Sequence, residues 1–260
     1  MATRRPELGK WLLWKLFWRD SAIRPYLPAT RPFSEHAMQT MINKYGSVYI
    51  KPIAGARGKS VMRAYRRREG YGLHFETRNP LYAYSLPSLL REIHRLAEHR
   101  TLIVQQDVRL ARLRGRPFDI RVMMQKDSKF RWTCTGICVK VAGPHSAITN
   151  VARSHGSVVS LFDALHESLG WSATRIHALQ QQLEKLGFAV CRRFEQYQPY
   201  SEIGLDVGVD HAGRIWLLEE NSGPSHMLFH HLRDQSAYRL ITKTAQERRR
   251  AVRQLRLRSG

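Results

Sequence analysis

Residues 203–224, IGLDVGVDHAGRIWLLEENSGP, decide how this chain is read. Two runs of β-branched and aliphatic residues, 203–209 and 214–218, flank His211, Ala212 and Gly213, which predicts a β-hairpin turning at that tripeptide. Asp206 falls on the first strand, and Glu219 and Asn221 close the second. Strand side chains alternate, so Glu219 and Asn221 project to one face. Two carboxylates and an amide oxygen converging across an antiparallel pair form a hard-oxygen donor set that suits Mg²⁺ or Mn²⁺ bound together with substrate phosphates. Two acidic residues at strand ends are also an ordinary solvated arrangement, so the rest of the chain must discriminate.

The chain has 260 residues, enough for a substantial core in one large or two small domains, and its 43% hydrophobic content argues against disorder. A formal charge of +22 predicts attraction to polyanions: nucleotides, nucleic acid, anionic polymers or membrane headgroups. Cys134, Cys138 and Cys191 form no CxxC pair and fit a reduced, cytoplasmic protein; the first two read as small apolar residues on one strand face. The run WLLWKLFW, 11–18, is interrupted by Lys15 and lacks a small-residue cleavage site, so it reads as an amphipathic helix and predicts neither secretion nor a membrane span.

Ser34 opens a helix to about Lys44, and 47–53 reads as a strand that delivers Lys51 near its end. The loop GARGKS, 55–60, has only half of a Walker A pattern, because Ile53 stands where its first glycine belongs. Residues 61–70 alternate like a second strand, and a strand–glycine loop–strand hairpin can still lay backbone N–H groups on phosphates. Residues 71–75 form a strand, Pro87 begins a helix and 101–108 form another strand. A long hairpin turns at Asp127, Ser128 and Lys129, with Arg121 facing away from one apolar row and Lys140 sharing its face. Residues 161–195 read as helical, broken at Gly170 and Gly187; a further helix runs from Met227 to about Leu240 into a basic tail. His226, His230 and His231 lack the glutamate of an HExxH zinc motif.

Taken in order, GKWLLWKL, RPYLPATRPF, VYIKPIAGARGKS, VQQDV, RPFDIRVMMQKD, AITNVAR, GLDVGVD and LLEENSGP resemble the YheC/YheD family of endospore coat-associated proteins, within the ATP-grasp superfamily. The resemblance covers roughly residues 7–223 and leaves the basic tail outside. It implies an α+β fold, the ATP-grasp fold, with two antiparallel-sheet subdomains and ATP between them. The ATP-grasp domain would span 7–225, with a glycine-loop subdomain at about 47–106 and a metal-binding subdomain at about 107–225, followed by a C-terminal helix and basic tail at 226–260.

By the same resemblance Lys51 and Lys10 are phosphate lysines, Gly55 and Gly58 belong to the phosphate loop, and Gln105, Gln106, Asp107 and Val108 form the hinge that touches adenine. Arg121 is the arginine near the transferred phosphate; Lys140, Asn150 and Arg153 join it as catalytic residues. Asp206, Glu219 and Asn221 are the ligands of Mg²⁺ or Mn²⁺. Ser60, and Ser154-His155-Gly156, depart from glycines common in the family, and the second departure bears on substrate identity. The implied chemistry is carboxylate–amine ligation through an acyl phosphate, with an unidentified carboxylate and amine, in a cytoplasmic, spore coat-associated protein. Two rivals stay open: a coat or assembly protein that binds nucleotide without turnover, and a basic module that binds an anionic polymer through its tail.

Overall fold

The computed structural model describes residues 9–54, 60–75, 79–143 and 156–258. They divide into two units, one comprising residues 9–19 with Leu27–Arg109, the other Asp20–Tyr26 with residues 110–258.

In the first unit, helix α1 (Lys10–Trp18) buries Leu13 and Phe17. Strand β1 (Thr30–Pro32) precedes α2 (Glu35–Tyr45), which starts where Ser34 Oγ accepts the Ala37 N–H and stops at Gly46, whose φ of +74° suits a residue without a Cβ. Strands β2 (Ser47–Pro52), β3 (Met62–Arg66), β4 (Tyr71–Phe75) and β5 (Leu81–Ala83) follow, then α3 (Leu86–Ala97), capped by the reciprocal Ser85–Ser88 pair, and β6 (Leu102–Gln106). The six strands form one antiparallel sheet in the order β1-β6-β2-β3-β4-β5. Alternation puts Val48, Ile50, Met62, Ala64, Leu73 and Val104 on the face covered by α2 and α3. Tyr49, Lys51, Arg63 and Gln105 occupy the opposite, polar face.

In the second unit, the short β7 (Arg112–Leu113) pairs with β8 (Arg116–Lys126), which forms the long hairpin with β9 (Trp132–Val141). Asp127 builds the turn by accepting the N–H groups of Lys129 and Arg131 at 2.8 and 2.9 Å. After β10 (Ser157–Val159) come α4 (Leu161–Leu169), α5 (Ala173–Glu195), β11 (Glu202–Val209), β12 (Ile215–Asn221), the short α6 (Met227–His230) and α7 (Ser236–Arg258). The antiparallel order is β10-β9-β8-β11-β12.

The β11–β12 hairpin turns as expected at 211–213. The sequence reading had overlooked Asp210, whose carboxylate accepts the N–H groups of Ala212 and Arg214 at 3.0 and 2.9 Å and the indole N–H of Trp216 at 2.9 Å.

Three sequence expectations are corrected. Gly187 does not end a helix: α5 runs through it, and a Cβ there would come within 2.6 Å of Met124 Sδ, so glycine serves close helix–sheet packing. Cys134 and Cys138 do not share a face, because a register irregularity beside Met123 and Met124 offsets the strand; Cys134 lies near Glu184 of α5, whereas Cys138 lies near Arg121 and Lys140. The expected helix from Met227 is two helices, and the second is no loose tail.

Helix α7 buries Ile241, Thr244 and Ala245, and Ile241 joins Met123, Cys138 and Phe229 in one cluster. Gly136 admits Phe229, which would lie 2.8 Å from a Cβ at that position. Ile241→Ala should therefore lower stability by about 2–4 kcal/mol, through lost apolar burial and a residual cavity. Leu257→Ala, at a side chain 75% exposed, should change it by less than about 0.5 kcal/mol. Urea unfolding of the two variants checks the pair; equal losses would contradict this packing.

Candidate functional site

Strand register brings the chemistry of the second unit into adjoining rows on one sheet face. Cys138, Arg121, Asp206 and Glu219 stand opposite one another across β9, β8, β11 and β12. Lys140 and Asp119 form the next pair on one side; Asn221, Gly204, Met123 and Gly136 form the row on the other. Arg121 grips Asp206 with two arms, Nε donating to Oδ1 at 2.7 Å and Nη2 to Oδ2 at 3.1 Å. Lys140 Nζ lies 2.9 Å from both Asp119 Oδ1 and Asp206 Oδ1, and Asn221 Nδ2 lies 3.3 Å from Asp206 Oδ2. Gly204 makes room for this: a Cβ there would stand 2.7 Å from Pro224 Cβ and 3.2 Å from Arg121 Nη1.

Arg121, Lys140, Asp119 and Asp206 are all at most 9% exposed. Arg121, expected to face away from one apolar row, is thus buried, with Nε and Nη2 bonded to Asp206. Burial works against Asp206's charge, but Lys140 and Arg121 outweigh it and hold its carboxyl at about 2. Burial likewise opposes the charges of Lys140 and Arg121, yet the two aspartates keep both cations above their ordinary values. The four groups balance two positive charges against two negative ones. Glu219 adds a further carboxylate, only half-buried, directly opposite Asp206. Asp206, Glu219 and Asn221 therefore share a face and carry oxygens of the type that Mg²⁺ or Mn²⁺ takes, but both oxygens of Asp206 already accept from Arg121, Lys140 and Asn221, which leaves Glu219 as the carboxylate outside the balanced quartet. Glu220, opposite Leu205, belongs to the other face.

No thiol is poised as a nucleophile, since burial pushes those of Cys134 and Cys138 up to about 12 and that of Cys191 higher still.

On the polar face of the first unit, Lys51 Nζ donates to Gln105 Oε1 at 2.5 Å, and Gln105 Nε2 donates to Thr30 Oγ1 at 2.9 Å. Gln106 Oε1 accepts the Ala29 N–H at 3.2 Å, and Val108 is buried. Asp107 accepts Ser47 Oγ and Arg63 Nε, both at 2.7 Å. The backbone N–H groups of Gln106 and Asp107 are engaged as well, donating to the carbonyls of Ala29 and Ser47 at 2.8 and 3.4 Å. The Lys10 N–H donates to the Ile53 carbonyl at 3.0 Å, which fixes that residue beside the end of the lysine-bearing strand. Ser60, in the place of a family glycine, has φ +58°. Gly55, Gly58, Asn150 and Arg153 lie outside the described residues.

Two participants were missed in the sequence. Asp119 precedes Arg121 by two and so shares its face, a signal legible in the FDIR spacing. Glu202 was not legible: its carboxylate meets His226 Nε2 at 2.8 Å and Arg248 Nη2 at 2.8 Å, joining the segment after β12 to α7. These contacts account for His226, while His230 lies edge-on to Tyr238.

Asp206→Asn should cost about 3–5 kcal/mol at neutral pH, because it strips the buried Arg121 and Lys140 of their shared counter-charge. The sign with pH follows from the lowered carboxyl: its contribution, about 2 kcal/mol, is present above the ordinary value of 3.8 and is lost as pH falls through about 2. Urea titrations from pH 7 downward should show wild type losing that increment over this window and the variant lacking it; parallel acid limbs would contradict the assignment.

Among known proteins, the family description YheC/D like ATP-grasp matches residues 2–248, so the match extends well into α7, past the limit near 223 that the motifs suggested. The endospore coat-associated protein YheD of Bacillus subtilis (strain 168) is 28% identical over 230 residues, covering 86% of this chain and 49% of that protein. YheC of the same organism, likewise named endospore coat-associated, is 24% identical over 225 residues, covering 83% of this chain and 59% of that protein. The chain thus spans about half to six tenths of the length of these relatives. The two antiparallel sheets with their helices and the match over nearly the whole chain lead to one assignment: this protein belongs to the YheC/D-like ATP-grasp family.

Proposed function

We propose that this chain binds ATP together with Mg²⁺ or Mn²⁺ and activates a carboxylate as an acyl phosphate for capture by an amine. The observation that carries this reading is the buried Arg121–Asp206 pair, flanked by Lys140 and standing in register with the half-buried Glu219, in a chain of ATP-grasp ancestry. Asp206, Glu219 and Asn221 would hold the metal, which when bound neutralises and aligns phosphate oxygens. Lys51 and Lys10 are proposed to bind phosphates, with the glycines at 55 and 58, and the segment from Gln105 to Val108 to meet the adenine. Arg121 would stabilise charge on the transferred phosphoryl group, with Lys140, Asn150 and Arg153 supporting it.

In this chemistry a substrate carboxylate oxygen forms a bond to the γ-phosphorus as its bond to ADP breaks. The amine nitrogen then attacks the acyl carbon, phosphate departs with the C–O bonding pair, and the amine releases a proton. No protein nucleophile is required, in keeping with the unreactive thiols.

Nucleotide binding without turnover is the second reading, favoured by one observation: the Arg121 fork is closed on Asp206, so the residue meant for phosphate is already satisfied. Release of phosphate on addition of amino acids or peptides with ATP separates the two. A role at the spore coat, after the names of YheD and YheC, is proposed alongside a cytoplasmic site of synthesis. A fluorescent fusion of this chain in sporulating Bacillus subtilis should then collect at the spore periphery; a uniform signal throughout the cell would contradict it.

Calorimetric titration of ATP with and without Mg²⁺ tests the site. Lys51→Ala should weaken nucleotide binding by roughly 10- to 100-fold, the value of one charge-assisted contact. Glu219→Gln should reduce the Mg²⁺-dependent part of the affinity about tenfold or more, whereas Glu220→Gln, on the opposite face, should leave it intact. Loss in the Glu220 variant alone would shift the ligand assignment by one residue, and no loss in either would remove the metal site.

A further inference from the structure

Helix α7 has two dissimilar sides. Ile241, Thr244, Ala245 and the Glu202-bound Arg248 face the sheet. On the side away from it, Arg239, Lys243, Gln246, Arg250 and Arg253 recur at intervals of four, three, four and three residues, the spacing that keeps side chains in one line along a helix, and all five are exposed. Arg249 and Arg256 border the line, and Glu247 is the one acidic residue between 236 and 258. At 1.5 Å per residue the line from Arg239 to Arg253 is about 21 Å long. A duplex carries one negative charge per about 1.7 Å of its axis, so a straight row of guanidinium and ammonium groups of this length can meet several phosphates. Guanidinium forks match phosphate oxygens two at a time.

We infer that the outer face of α7 is a docking surface for the phosphodiester backbone of double-stranded nucleic acid. The chemistry favours this partner over an anionic membrane. An interfacial helix must sink a continuous apolar face into lipid; α7 buries Ile241 and Ala245, and the leucines it leaves exposed, Leu240, Leu255 and Leu257, stand at different angles round the helix and form no such face. The outward line over 239–253 consists of cations and one amide, with Lys243 loosely paired to Glu247 at 3.9 Å and Leu240 exposed to one side, and it suits a charged, hydrated rod. A partner read only through phosphates carries no sequence preference. The chain's net charge of +22 adds long-range attraction but does not choose a surface; the alignment does.

The test is fluorescence polarisation of a labelled duplex of about 20 base pairs against the full chain, over roughly 50 to 200 mM salt. Wild type should bind with affinity that falls steeply as salt rises. The variant R239Q/K243Q/R250Q/R253Q should bind at least tenfold more weakly near 0.1 M salt, with the slope of log affinity against log salt reduced by about 3 to 4. The control R31Q/R66Q/R68Q/R91Q removes the same charge from exposed positions of the other unit and should keep most of the slope. Glu247→Lys should tighten binding and steepen the slope by about 1, a gain that loss of folding cannot mimic. Equal losses in the two fourfold variants, an unchanged slope in the α7 variant, or no effect of Glu247→Lys would overturn the proposal. So would α7-dependent capture by phosphatidylglycerol vesicles in place of the duplex.

Discussion

The second unit depends on one interaction, the buried ion pair between Arg121 of β8 and Asp206 of β11. Withdrawing two charges from water costs several kcal/mol per ion, and the pair is tolerable only with forked geometry and further partners. Lys140, Asp119 and Asn221 supply those partners. The requirement fixes strand register: a slip of one residue would swing Arg121 and Asp206 into the apolar side occupied by Ile120, Val122, Leu205 and Val207, all buried. It also fixes Gly204, since any larger residue would press on Arg121 and Pro224 together. Register irregularities occur between Met123 and Met124 and between Asp206 and Val207. From Asp119 to Met123 the β8 register is uninterrupted, and this is the stretch that carries the charges.

Such an arrangement is a poor choice if stability alone is at stake, because well-packed apolar residues of similar volume serve equally well or better. Its use lies in the charge it leaves over. Two cations and two aspartates balance, so under the proposed function Glu219 would be the carboxylate left to meet an approaching cation. At the same time Arg121 can turn to an incoming phosphate only if Asp206 gains another positive partner. A divalent cation would be such a partner, so the two events would favour each other. Under the proposed function, binding of metal and of nucleotide would then be coupled through one carboxylate.

Much of this was legible in the sequence because strands declare their faces by alternation. The hairpin around 211–213, the strand bearing Lys51, the amphipathic helix after Pro87 and the shared side of Glu219 and Asn221 all follow from it. What escaped has a common cause: it depends on neighbours distant in the chain. Gly187 looks like a helix breaker until Met124 is seen pressing on it. Cys134 and Cys138 look like one face until the irregularity between them is known. Arg121 can be read as facing solvent or a phosphate-binding cleft, and its buried pairing shows only when Asp206, 85 residues later, is placed opposite. Glu202 gives no local sign at all, for its partners are Gln125 of β8, 77 residues earlier, and His226 and Arg248, which follow the strand.

The basic tail shows how far composition reaches, since it does not tell which side of a helix is built into the fold. Its charge reads as a solvated basic helix or a polyanion contact along its whole length, yet the helix divides near Arg248. Up to that residue one side is built into the fold, through Ile241, Thr244 and Ala245 and then through the bond from Arg248 to Glu202. Beyond it, no residue is buried through Arg258. The family match ends at 248 as well. Because Glu202 binds both Arg248 and His226, the last built-in turn of α7 is tied to the segment that leaves Asn221. That segment carries Pro224, which packs on Gly204 beside Arg121. The first part of the helix is thereby part of the support for the Asn221 end of the candidate site, and only the remainder is free to differ among relatives without disturbing it.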